Sequence, residues 1–320
     1  MSTYLDGPVR VSVPATSANL GPGFDSLGLA LDHRDLVTAE VVTSRPGRGG
    51  DAPRIVVRGA GEGTLPLDER HLVHRAMRAA FGRMGADLPS VDLVCDNVVP
   101  HARGLGSSSA AIVAGICAAR GLVAGGSLLM DDDAVLALAT ELEGHPDNVA
   151  PALLGGFTVA YRDGAHVRAV RVEVDPRVEV VAFVPPEGVR TEVARGLLPG
   201  TVPHADAAAN AGRAALLVAA LGHRPELLLA ATEDRLHQDY REPAMPRTLA
   251  LVRALRADGL PAVVSGAGPT VLVLTDRQLR DELVLRAPRD WAVLTVPIDR
   301  RGALVTLPEE TGTGRVPAPR

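Results

Sequence analysis

Residues 100–110 read Pro100-His101-Ala102-Arg103-Gly104-Leu105-Gly106-Ser107-Ser108-Ser109-Ala110. Two glycines let the backbone approach a ligand closely, and three hydroxyls follow at once. The run of small apolar residues beyond them predicts a helix from Ser108 to Val123. A loop entering a helix N-terminus presents unpaired N–H groups and the positive end of the helix dipole, an arrangement that favours an anion. A serine-capped core helix after a glycine-rich turn has the same composition, so both readings stand at this point. The loop is not of the Gly-x-x-x-x-Gly-Lys-[Ser/Thr] type, because the chain has no lysine. That absence also excludes chemistry built on a strand lysine or a lysine Schiff base.

Composition narrows the classes further. The 320 residues suffice for two domains. With aromatics at 2%, the core must be filled by Val, Leu, Ala and Ile, and a stacking platform for single-stranded nucleic acid is not expected. A net charge of −5 argues against nucleic-acid or anionic-membrane partners. Cys95 and Cys117 match no metal spacing and read as buried, reduced thiols. The N-terminal residues lack the basic and apolar regions of a signal peptide, and no apolar run is long enough for a membrane span, so a cytoplasmic protein is expected.

Along the chain, Val9–Val13 alternates as a half-buried strand and breaks at Pro14. Further strands are expected at 37–42, 54–58, 91–95 and 157–161, with turns at 45–53 and 59–66 and a helix over 71–84. Asp131 to Asp133 open a helix that stops near Gly144-His145-Pro146. A second half, from 165, mixes strands (167–174, 178–184, 271–274, 292–296) with helices (206–221, 225–231, 245–257, 276–285). This order indicates an α+β fold of two domains, residues 1–164 and 165–310, followed by a mobile tail, 311–320.

Four clusters have the residue types of phosphoryl transfer, in which a protein mainly positions two groups and neutralises charge. The glycine loop can wrap phosphates, and Glu141 or Glu143 with a serine hydroxyl can offer oxygens to Mg²⁺. His145 and Asp147, in a Gly/Pro-framed turn, can face one ligand, or serve as a helix cap and a surface histidine. Asn19 and Asp25 flank the rigid Gly21-Pro22-Gly23, and Arg195 and Arg241 suit a carboxylate through their planar forks. Zinc is disfavoured for want of a ligand set, and Gly106-Ser107-Ser108-Ser109-Ala110 is not a serine-hydrolase elbow.

Residues 100–110 resemble the phosphate loop of the GHMP kinase superfamily, and Ser265 to Thr270 resembles its C-terminal glycine-rich motif. Within that superfamily the chain most resembles the homoserine kinases. The segments that carry this are Pro14–Asp25, Glu143–Gly156 with its Gly-His-Pro-Asp-Asn-Val-Ala-Pro core, Thr191–Pro199, and Leu236-His237-Gln238-Asp239-Tyr240-Arg241, in the expected order. The resemblance implies an N-terminal nucleotide-binding domain and a ferredoxin-like C-terminal domain. It also implies ATP- and Mg²⁺-dependent phosphorylation of L-homoserine to O-phospho-L-homoserine on the route to threonine. Carried over by motif, Asn97, Pro100, Arg103, Gly104, Leu105, Gly106, Ser107, Ser108 and Ser109 would hold the nucleotide, with Ser108 and Glu141 on the metal. Arg195 and Arg241 would grip the substrate carboxylate. Asp25, His145 and Asp147 would lie by its ammonium, and Asn19 by its hydroxyl. Gly266 is implied in substrate binding, and Asn19, Asp147, Asn148 and Arg195 form the implied catalytic set. No lysine stands beside the substrate hydroxyl as in mevalonate kinases, and homoserine kinases are described as lacking a dedicated base. Another GHMP kinase acting on a different small alcohol, or a catalytically silent metabolite sensor, would use the same pocket. A homodimer is left open.

Overall fold

A computed structural model of the chain describes residues 3–42 and 53–308. Most of the turn expected at 45–53, and the tail at 311–320, lie outside the described residues.

The first half contains β1 (Val9–Ala18), β2 (Leu27–Val41), β3 (Arg54–Gly59), α1 (Leu72–Arg83), β4 (Val91–Asn97), α2 (Ser107–Leu122), α3 (Gly126–Leu129), α4 (Asp132–Glu143), α5 (Val149–Leu154), β5 (Phe157–Asp163) and β6 (His166–Val172). Val9, Val11 and Val13 are fully buried while Arg10 is exposed, the alternation expected of a one-faced strand. The strand does not end at Pro14. It runs on to Ala18, with a register shift between Pro14 and Ala15 where a residue lacking an N–H does least damage to the ladder. β2 is long enough to pair with β5 through Leu27–Leu29 and with β4 through Leu36–Val41. Helix α2 owes its small residues to close packing: a Cβ on Gly115 would lie 2.4 Å from the Val73 carbonyl of α1.

The second half contains β7 (Glu179–Val184), α6 (Thr191–Gly196), α7 (His204–His223), α8 (Leu228–Ala231), α9 (Pro246–Ala257), β8 (Ala262–Val264), β9 (Val271–Thr275), α10 (Arg277–Val284), β10 (Ala292–Thr295) and β11 (Leu304–Thr306). Its four-stranded antiparallel sheet has the order β10-β7-β9-β8, which is the ferredoxin-like arrangement with a helical insertion between its first two strands. Both faces of this sheet are covered. Along β7, Val180, Ala182 and Val184 join the core shared with Leu20, Leu29 and Phe157 of the first half, while Val181 and Phe183 face the core of α9 and α10.

Strand pairing does not divide the chain at 164/165. That point falls in the β5–β6 hairpin, and β11 returns to pair with β1 in the seven-stranded sheet. The return is pinned by Arg34, which ion-pairs with the buried Asp299 and donates to the Ser12 and Gly302 carbonyls. Cys95 and Cys117 are buried free thiols, and burial pushes Cys117 up to about 11. Among the described residues no helix is long and apolar enough to cross a membrane.

Candidate active site

A cleft of about 510 Å³ runs between the two halves, and the glycine loop lies along it. Gly104 and Gly106 have φ +72° and +69°. A Cβ on Gly104 would lie 2.2 Å from the Ser265 carbonyl, and one on Gly106 would lie 1.9 Å from Thr16 Oγ1. Only glycine satisfies the conformation and the approach together. Ser265 Oγ donates to the Gly104 carbonyl at 2.6 Å, tying the second glycine motif to the first. No side chain caps the start of α2. The serine-cap reading therefore fails, and the first amides of the helix lack intrahelical partners. Ser107 and Ser108 line the cleft, and Ser109 Oγ is buried with no hydrogen-bond partner.

Four loop residues, Ser109 among them, do not line the cleft. Leu105 is buried in the shared core, and Pro100 does not line the cleft. Arg103, expected at the nucleotide, instead donates to the carbonyls of His101, Pro185 and Pro186, where it joins the loop to the segment after β7.

The metal expectation also needs correcting. Glu141 points away from the loop and forms an exposed ion pair with Arg83 at 2.7 Å. Glu143, two residues on, lines the cleft and accepts a 2.6 Å hydrogen bond from Ser108 Oγ. Successive helical residues are turned by about 100°, so residues two apart face nearly opposite ways. Among the described residues no group of three or more His, Cys, Asp or Glu side chains could enclose a metal alone.

Beyond α4, Asp147 is buried and accepts from His145 Nδ1 at 2.7 Å. Burial opposes a charge on His145, but the hydrogen bond and charge of Asp147, with Glu143 adding, leave its pKa above the ordinary value. Asn148 Oδ1 accepts from Thr16 Oγ1 at 2.8 Å.

The 19–25 loop reaches the other wall through Asn19. Asn19, Leu20 and Asp25 are non-glycine residues with φ of 67°, 50° and 55°, each costing about 1–3 kcal/mol. Long-range bonds hold them there. Asn19 Nδ2 donates to the Gly266 carbonyl at 2.9 Å, Asn210 Nδ2 to the Pro22 carbonyl at 2.7 Å, and His237 Nε2 to the Gly21 carbonyl at 2.7 Å. Asp25 is bound by both arms of Arg195, at 2.5 and 3.2 Å. Arg241 differs: it is 1% exposed and, among the described residues, donates only to His237 Nδ1 and the Gly266 carbonyl and leaves Nε unpaired. Burial, with Arg195 nearby, lowers its pKa to about 10. A buried cation without a carboxylate hydrogen-bonded to it is costly unless a ligand completes it. Gly266 lines the cleft, but its carbonyl serves Asn19 and Arg241 and its N–H bonds the Ala18 carbonyl.

At the far end, Leu65, Pro66, Leu72, Val73, Ala111 and Ala114 make an apolar wall, beside Asn97, whose Nδ2 donates to the Ala60 carbonyl. The cleft is thus lined by apolar side chains, by the open N-terminus of α2, by the oxygens of Ser108 and Glu143 and by the guanidinium groups of Arg195 and Arg241. Sequence reasoning passed over Phe24, whose ring lies 5.5 and 5.7 Å from the guanidinium carbons of Arg195 and Arg241, and over His237 beneath it. His237 stood within a quoted motif, so a signal existed. Phe24 likewise stood within the quoted segment Pro14–Asp25, but nothing in the local sequence pointed to its contact with residues more than 170 positions away.

Residues 71–156 match the family model for the GHMP kinases N terminal domain, and residues 215–293 match that for the GHMP kinases C terminal domain. The chain is 58% identical over 297 residues to homoserine kinase of Streptomyces avermitilis, covering 93% of this chain and 95% of that protein. It is 51% identical over 315 residues to homoserine kinase of Clavibacter michiganensis, covering 97% and 96%. The crystal structure of homoserine kinase from Cytophaga hutchinsonii superposes with a TM-score of 0.80 at 26% identity, covering 95% of this chain and 100% of that one.

Proposed function

The chain belongs to the homoserine kinases of the GHMP kinase family, and we propose that its cleft transfers the γ-phosphoryl group of ATP to the side-chain hydroxyl of L-homoserine. The product, O-phospho-L-homoserine, serves threonine synthesis in the cytoplasm. The observation that carries the substrate assignment is Arg241, a buried guanidinium with no carboxylate hydrogen-bonded to it, facing the same cleft as the uncapped end of α2.

The amides that open α2 hold the phosphates, and the apolar wall around Leu65 and Val73 takes the base. Arg241 and Arg195 bind the homoserine carboxylate, while Asp25 and Asp147 face its ammonium. That charge pattern fits a zwitterion and leaves a neutral sugar without partners. Asn19 keeps a second amide hydrogen for the reacting hydroxyl after bonding Gly266. With no lysine in the chain, no lysine–carboxylate pair serves as a base, and the hydroxyl proton passes to an oxygen of the transferred phosphoryl group.

Ser108 Oγ and the Glu143 carboxylate are a hard-oxygen donor set, which fits Mg²⁺, an ion that keeps waters and takes its remaining ligands from phosphate. When bound there, Mg²⁺ supplies charge neutralisation on the phosphate oxygens.

The test is ADP release from Mg-ATP by the purified protein with L-homoserine, mevalonate, galactose or no acceptor, beside a metal-free control. Homoserine-dependent, Mg²⁺-dependent turnover supports the reading. Turnover with another alcohol alone would keep the phosphate loop and overturn the substrate.

A further inference from the structure

The carboxylate-binding cation cannot aim itself. Arg241 sits on a 3₁₀ turn, Asp239–Ala244, and its long side chain must be held in one rotamer to be of use. The guanidinium can only donate, so its 3.0 Å contact to His237 Nδ1 makes that nitrogen an acceptor. The single ring hydrogen then resides on Nε2 and goes to the Gly21 carbonyl at 2.7 Å. The ring is neutral and its tautomer is set by its two partners. Asp234 lies 3.6 Å from Nε2, but its oxygens accept from the backbone amides of Leu236, His237 and Gln238. Phe24 stacks on the imidazole at 5.3 Å and brings the faces of both arginines onto the same platform. One fully buried side chain thus connects the strained 19–25 loop to Arg241.

We propose that His237 is a positioning residue for the amino-acid substrate: its neutral imidazole, bridging Gly21 and Arg241, holds the guanidinium in its carboxylate-binding orientation. The inference rests on Arg241 as the carboxylate cation. The experiment measures KM for homoserine and for ATP, with kcat and thermal stability, in His237→Asn, His237→Gln and His237→Phe. Each is made alone and combined with Arg241→Ala.

Asn places an oxygen near Nδ1 and keeps the acceptor, so His237→Asn should stay within about threefold of wild-type homoserine KM. Gln places its amide near Nε2 and loses the bond to Arg241, so KM for homoserine should rise about tenfold, with ATP KM unchanged. His237→Phe loses the Gly21 bond as well and should raise homoserine KM at least as much as Gln. The Gln double variant should be no worse than Arg241→Ala alone, because Gln keeps a donor for Gly21 and the lost Nδ1 contact acts through the arginine. If His237→Phe does not fold, the Asn–Gln pair decides. Equal homoserine KM in Asn and Gln variants, an additive Gln double variant, or a parallel rise in ATP KM would each overturn the proposal. An unchanged homoserine KM in Arg241→Ala would instead overturn the underlying carboxylate assignment.

Discussion

Ser108 Oγ donates to Glu143 Oε1 at 2.6 Å, joining the first turn of α2 to the last residue of α4 on the first-half wall of the cleft. Glu141 is turned outward to Arg83. The two glutamates therefore make opposite predictions. Glu143→Gln should lower kcat by about 10²-fold or more and raise the Mg²⁺ concentration needed for half-maximal rate, since one hard oxygen charge is lost. Glu141→Gln removes an exposed ion pair of about 0–1 kcal/mol and should leave kcat and Mg²⁺ dependence unchanged. Magnesium titrations of both variants check this, and the reverse pattern would restore Glu141 as the ligand.

Removing Arg241 should act on one substrate only. Loss of a charged hydrogen-bond partner costs roughly 1.5–3 kcal/mol, so Arg241→Ala should raise homoserine KM about ten- to a hundredfold and leave ATP KM near wild type. Arg195→Ala should do the same while also leaving Asp25 without its cation. Equal damage to both substrates in steady-state kinetics would refute the clamp.

Gly106 and Gly212 separate required glycines from replaceable ones. At Gly106 a Cβ would lie 1.9 Å from Thr16 Oγ1 at φ +69°, so Gly106→Ala should lower both melting temperature and activity, the latter at least about tenfold. At Gly212, within α7, nothing lies within 4 Å. Gly212→Ala should stabilise by about 0.5–1 kcal/mol with unchanged kinetics. Thermal melts and initial rates decide both.

His145 offers a pH test. Its folded pKa is raised by Asp147 above the ordinary value of 6.5. Its contribution to stability is therefore complete below that value and is lost as pH rises through the higher folded pKa. Melting temperature should show a component falling through this window that is absent in His145→Gln. In Asp147→Asn the ring loses the main partner that opposes its burial and keeps the smaller contribution of Glu143, so its pKa, read from imidazole NMR shifts, should drop. The same variant should raise homoserine KM while kcat falls less than about tenfold. A loss of about 10²–10⁴ in kcat would identify Asp147 as a general base.

Features written in contiguous residues were legible before any coordinates. The glycine loop runs directly into the helix behind it, and His145 and Asp147 stand two residues apart, so local geometry largely dictates each of these relations. Helix phase was not legible. Whether Glu141 or Glu143 meets Ser108 depends on how α4 is rotated against α2, which is set by the packing of Val135, Leu138 and Ala139 into the core. Arg103 was misplaced for a related reason: its partners, Pro185 and Pro186, are more than eighty residues away and offer only backbone carbonyls.

What the sequence determined by itself is the α+β class, the glycine loop ahead of α2, the exclusion of lysine chemistry and the order of the motifs, because each depends on residue type, spacing or resemblance. The tertiary structure decided which carboxylate faces the loop, which arginine is left without a carboxylate, and that β11 crosses back to the first sheet. These depend on contacts between residues far apart in the chain, such as Asn19 with Gly266 and Phe24 with Arg241. Such contacts exist only once burial of the shared core has brought the two halves together.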